Sequence, residues 1–166
     1  MNVLEWLRQR PDGLQYIDEE MQKLIVDFSL LWMYFEANYL GMDGKPEVLL
    51  HMVEKVAEAG LLDGAAIEPA FAHFRQRYLV DGKPSPHFAD LKLANKWKEA
   101  VENGLRDSAS VQQQLDVCVL ILNRYRNNLF HGPKWIARFE GDRDNLVHAV
   151  GLVTAIIRMS DGKKNQ

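Results

Sequence analysis

Apolar positions along the chain recur mostly three and four residues apart, the period of an amphipathic helix, and almost nowhere alternate as a strand would. The exception in kind is Val111 to Lys134, VQQQLDVCVLILNRYRNNLFHGPK. Its body, Leu115, Val117, Cys118, Val119, Leu120, Ile121 and Leu122, leaves too little polar surface for a solvent-facing helix, which predicts a helix deep in the core. Gly132 can take the left-handed cap conformation and Pro133 forbids continuation, so the helix is predicted to end there.

A second strong helix is predicted from Asp18 to Leu40, with acids in its first turn and Gly41 closing it. Leu24, Phe28, Leu31, Trp32, Phe35 and Tyr39 make its inward stripe. Pro46 opens a helix through Ala59, and Ala65 to Leu79 carries Ile67, Phe71, Phe74 and Tyr78 at helical spacing. Residues 87–105 read as one further helix, whose lysines around Trp97 are a solvated face or, alternatively, a basic face that touches RNA, and Asp144 to Met159 as a last one, apolar on most sides. Shorter pieces complete the chain. Met1 to Arg10 is a short helix closed by a turn at Pro11-Asp12-Gly13, its Trp6 and Leu7 docking either on the body or on a dimer partner. Asp81 to Pro86 is a loop, and the serines of 107–110 can cap the central helix. Lys134 to Phe139 is a short extended piece or a helical turn, and 161–166 is expected to fray. The prediction is an all-α, antiparallel helical bundle with a four-helix core plus additional short helices, in a single domain spanning 1–166.

Composition narrows the class. At 166 residues, 47% apolar and 26% charged, the chain has the size and balance of one globular domain. One cysteine, Cys118, allows neither an internal disulfide nor a cysteine-rich zinc site. No basic-then-apolar leader and no run of membrane-spanning length is present, so a cytoplasmic protein with no membrane association is expected. There is no glycine-rich phosphate loop and no His pair at metal-ligand spacing, so no cofactor or metal is expected. A net charge of −3 excludes a general nucleic-acid coat protein and confines any RNA binding to a local patch. Such a patch is visible: from Asp116 to Glu140 no acid intervenes, while Arg124, Arg126, Lys134 and Arg138 supply four cations. That concentration makes a local anion site, and Arg124, Lys134 and Arg138 are the residues that would serve RNA binding if the anion is a nucleic-acid backbone.

The candidate chemistry sits where the central helix ends, at Arg126-Asn127-Asn128-Leu129-Phe130-His131. Asn127 and His131 are four apart and share a helix face, and the long Arg126 side chain can reach round to them. The group combines a fixed cation with five donors, an imidazole that titrates near neutrality and an amide able to orient it. A helix C-terminus is partly negative, which favours a protonated His131 and makes cations necessary if an anion is to bind. Glu36 lies one turn after Trp32 at the border of its helix's apolar stripe, and is either a solvated carboxylate or a partner that pairs with Arg126 or His131 and holds it in place. The same Arg-to-His spacing recurs at Arg143 to His148, but there it opens a helix between Asp142 and Asp144, and is read as a helix start with a packed or partly exposed His.

RNNLFHG at the end of an apolar helix resembles the signature of the HEPN superfamily, small all-helical domains with an Arg, four to six residues, then a His. Arg126, Asn127 and His131 match that pattern position by position, over about 20 residues of the chain. The aromatic-rich helix carrying Glu36 is a further similarity. The resemblance implies a metal-independent endoribonuclease of toxin-antitoxin, phage-defence or RNA-processing systems, acting as a homodimer, with RNA as substrate and an antitoxin protein as a further partner. His131 and Arg126 would be catalytic, with Asn127, in cleavage by the RNA's own 2′-hydroxyl. In one branch, paired with nucleotidyltransferase antitoxins, a modifiable Tyr stands two residues after the His; this chain has Pro133 there. The alternatives are a catalytically silent HEPN-like nucleotide-binding or dimerisation module, and a helical adaptor in which Arg126 only caps its helix.

Overall fold

The segment with the least polar surface becomes the hub. In the computed structural model, which describes residues 3–10, 17–107, 110–130 and 141–164, ten residues of this helix, Leu115 to Asn128, are buried. The chain runs α1 (Val3–Arg8), α2 (Glu19–Tyr39), α3 (Pro46–Glu58), α4 (Gly64–Tyr78), β1 (Leu79–Val80), β2 (Lys83–Pro84), α5 (Pro86–Asp90), α6 (Asn95–Asp107), α7 (Val111–Phe130) and α8 (Arg143–Lys164). The fold is all-α, with one two-stranded antiparallel ribbon among the described residues. α7 is walled by α3, α4 and α6; α4 also packs on α8, and α8 on α2. A helix that meets three neighbours needs apolar side chains all round, which is why its sequence shows no clean stripe.

Helix ends follow local chemistry. The Asp18 carboxylate accepts from the Met21 amide at 2.8 Å, an N-cap among the acids of the first turn. At the other end of α2, Gly41 takes φ +61°, the left-handed conformation that stops a helix. Ser110 and Gln113 form a reciprocal capping box at the start of α7, with bonds of 3.2 and 3.1 Å. On α2, Phe28, Trp32 and Phe35 are fully buried, while Leu24, Leu31 and Tyr39 pack at the margin of the core. Leu7 also packs on the core; Trp6 stays largely exposed under the Arg10 guanidinium, 4.2 Å from its ring.

Three expectations need correction. Residues 87–105 are two helices, because the chain breaks after Asp90, where Lys92 sits at φ +49° and Leu91 is buried. The apolar spacing of Leu93, Trp97 and Val101 runs across that break and conceals it. The segment from Asp81 is a hairpin turn: Asp81 (φ +50°) and Gly82 (φ +72°) both adopt left-handed conformations between Val80 and its partner Lys83. Two positive φ angles define the type I′ turn that Asp-Gly favours. The expected fraying from Asp161 is replaced by helix through Lys164, with the Tyr39 hydroxyl bonded to the Asp161 carboxylate at 2.5 Å. The turn expected at Pro11 to Gly13 and the piece expected at Lys134 to Phe139 lie outside the described residues.

The second Arg-to-His spacing is absorbed by packing. Arg143 opens α8 and pairs with Asp18, at 2.5 Å, and with Glu20, tying the start of α8 to the start of α2. His148 stacks on His73 of α4 with ring centroids 4.3 Å apart. Burial, and then the neighbouring His73, hold the His148 pKa below its ordinary value of 6.5, while Asp144 opposes them. A histidine with a depressed folded pKa binds fewer protons than its unfolded counterpart, so its contribution to stability is complete above pH 6.5 and is lost as pH falls below that value. The urea midpoint should therefore drop between pH 7.5 and pH 5.5, and His148→Gln should flatten that drop. An unchanged pH slope in the variant would count against the stacked pair as its source.

Candidate functional site

Asn123, Arg124, Tyr125, Arg126, Asn127 and Asn128 occupy the last turns of α7, and the helix divides them between two sides. Residues 124 and 128 turn toward the end of α5. Arg124 Nε donates to the Leu91 carbonyl at 2.7 Å, and Asn128 Nδ2 approaches the Asp90 carbonyl at 3.5 Å. Burial lowers the Arg124 pKa, as expected for a guanidinium seated on buried backbone. About 200° of helix rotation separates Arg124 from Arg126. Arg124, one of the candidate RNA-binding residues, thus serves the α5–α6 break and not the side that Arg126 faces.

The other side is a polar network between α7, α2 and the loop that follows α2. Arg126 Nη2 lies 3.5 Å from Glu36 Oε2, and its Nη1 donates to Asn127 Oδ1 at 3.0 Å. Glu36 is held independently: Trp32 Nε1 donates to Oε2 and the Gly44 amide to Oε1, each at 3.0 Å. The loop is then closed onto α7, because Asn123 Nδ2 donates to the Gly44 carbonyl at 2.6 Å and its Oδ1 accepts from Asn127 Nδ2 at 3.2 Å. Gly44 is required by this arrangement. A Cβ there would stand 2.7 Å from Glu36 Oε1, so any larger residue would push the carboxylate from its seat.

Two properties of Arg126 follow. Of five guanidinium N–H groups, Glu36 and Asn127 engage two, which leaves three without a partner among the described residues. One of these, on Nε, is buried. The side chain remains 31% exposed, enough for its outer edge to meet an anion, and Phe130 lies one turn on with its ring 5.7 Å from the guanidinium carbon. Phe130 is itself half exposed. The cation is thus oriented from below by a carboxylate and an amide, with spare donors at the helix tip.

Asn127 supports Arg126 directly, both ends of its amide being engaged within the helix. His131, Lys134 and Arg138 lie outside the described residues. The sequence singled out neither Asn123 nor Gly44, and it named Trp32 only as part of an inward stripe. Asn123 carried a usable signal, since a polar side chain inside an otherwise apolar run needs a partner once buried. Among the described residues no three His, Cys, Asp or Glu side chains converge as metal ligands would.

Beside this network α2 turns an apolar strip outward. Val26, Leu30, Met33 and Tyr34 are each more than half exposed, and Met33 sits one turn before Glu36. Comparisons of the chain with protein-family models, with curated proteins and with solved structures return no match, so what the site does has to be argued from its own geometry.

Proposed function

We propose that the protein is a metal-independent endoribonuclease of the HEPN type, cleaving RNA in the cytoplasm in a toxin-antitoxin or phage-defence role. The observation that carries the proposal is the Glu36–Arg126–Asn127 network. A guanidinium fixed at a helix tip, with donors to spare, suits the charge that builds on a phosphate oxygen during displacement. It also answers the partial negative charge of the helix end, which would otherwise repel a phosphate by about 0.3–1 kcal/mol.

In this mechanism the RNA 2′-hydroxyl attacks the adjacent phosphorus and the 5′-oxygen departs, leaving a 2′,3′-cyclic phosphate. His131 takes the 2′ proton or delivers one to the departing oxygen. Arg126 binds the non-bridging oxygens as their charge rises. One imidazole serves both ends of an in-line displacement poorly, so a second copy of the chain, bringing its own His131, is the expected partner. The exposed strip on α2 next to Glu36 gives such a copy apolar surface to cover. That strip also favours a second reading, a dimerisation or interaction module with the same architecture and no cleavage.

The test is cleavage of a labelled RNA in excess EDTA, with analysis of the new ends. The proposal expects cyclic phosphate termini and a loss of rate of about 10²-fold or more in His131→Ala, as for removal of a general acid or base. Cleavage abolished by EDTA, or unchanged in His131→Ala, would refute it. A dimer in solution with no cleavage would leave the interaction module standing.

A further inference from the structure

About 15 Å back along α7 from Arg126, a cleft opens where α3, α6 and α7 meet. Its volume is ≈ 430 Å³, within the range of small-molecule sites. Leu50 of α3, Trp97 and Ala100 of α6, and Val117 and Leu120 of α7 give it apolar walls. Asn103 of α6 and Gln113 of α7 add amides to the lining, and Asp116 adds a half-buried carboxylate with no hydrogen bond or ion pair among the described residues.

That carboxylate is in an unfavourable place. Burial, and then the negative charge of Glu54 on α3, raise its pKa to about 6. Glu54 is occupied with His51, at 3.1 Å. On α6, Lys96 is bonded to Glu47 and lies over the Trp97 ring at 4.6 Å. Among the described residues no cation forms an ion pair with Asp116, although the Trp97 ring in the same lining already accepts a positive charge on one face. One carboxylate and the side-chain amides of Asn103 and Gln113 supply too few oxygens for a hard metal ion, and the negative charge repels anions.

We infer that this cleft binds a small organic cation, an amine whose head meets the Asp116 carboxylate while its apolar body lies against Leu50, Trp97 and Leu120. Such a ligand neutralises the stranded charge and removes apolar wall from water in one step. The site is separate from the Arg126 network, and it stands or falls independently of RNA cleavage.

Phenethylamine is a suitable probe, and 2-phenylethanol its uncharged counterpart. Titration followed at the Trp97 indole N–H by NMR should give a saturable shift with the amine, and binding weaker by about ten-fold or more with the alcohol. Asp116→Asn should weaken amine binding to the level of the alcohol, and Ala100→Phe, at the exposed lip, should abolish it. Asp116→Asn removes an unpaired charge, so it should fold with a urea midpoint no lower than that of the unmodified protein. Equal binding of amine and alcohol, full amine binding by folded Asp116→Asn, or no saturable shift at millimolar amine would each overturn the inference.

Discussion

Arg126→Ala is expected to lower RNA cleavage by about 10²–10³-fold, the usual cost of removing a donor aimed at developing charge. It should do so with little loss of stability, because Glu36 keeps its bonds from Trp32 and Gly44 when the guanidinium is gone. The helix loses one part-exposed ion pair and one side-chain hydrogen bond, together about 1 kcal/mol. Arg126→Lys should rescue little: a lysine keeps the charge but cannot reach Glu36, Asn127 and a phosphate from one planar fork. Single-turnover cleavage and urea unfolding, measured on the same preparations, separate the two effects. A variant that loses several kcal/mol, with cleavage falling only through unfolding, would make Arg126 a helix cap and nothing more.

Glu36→Ala should cost more stability than any other change at the site. It removes the acceptor of two hydrogen bonds and the counter-charge of Arg126, stranding the Trp32 indole N–H, the Gly44 amide and the guanidinium together. Stranding partly buried donors and a charge costs about 2–4 kcal/mol here, given that Glu36 keeps some contact with solvent. Glu36→Gln preserves the shape and one acceptor oxygen but turns an NH₂ toward a donor, so it should lose about half as much. Cleavage should fall in both, through misplacement of Arg126. Denaturant midpoints and activity unchanged in Glu36→Gln would remove the carboxylate from the site.

How much of this the sequence disclosed depends on whether a feature is local. The caps of α2 were legible because Asp18, Glu19, Glu20 and Gly41 are neighbours of the ends they fix. Burial of α7 was legible from the length of its apolar run. Glu36 stood out through its position at the border of a stripe, and the geometry places it 3.5 Å from Arg126. The break at Lys92 was not legible, because helical spacing continued across it, and the cause is tertiary: the Leu91 carbonyl is held by Arg124, 33 residues away. Asn123 and Gly44 were hidden for a related reason. Their bond joins positions 79 apart: Asn123, polar within an apolar run, signals that it needs a partner but not which one, and Gly44 signals nothing. The helix at Asp161 likewise depends on Tyr39, 122 residues distant.

The exposed Asp81–Gly82 turn has a practical consequence. Trp32, Glu36 and Gly44 precede it, whereas Asn123, Arg126 and Asn127 follow it, so the chain can be divided there into two fragments, neither of which owns a whole site. A backbone cut at a tight exposed turn disturbs little packing. Co-expressed halves would then bring carboxylate and guanidinium together only on reassembly, which makes the turn a natural place to put the molecule under external control.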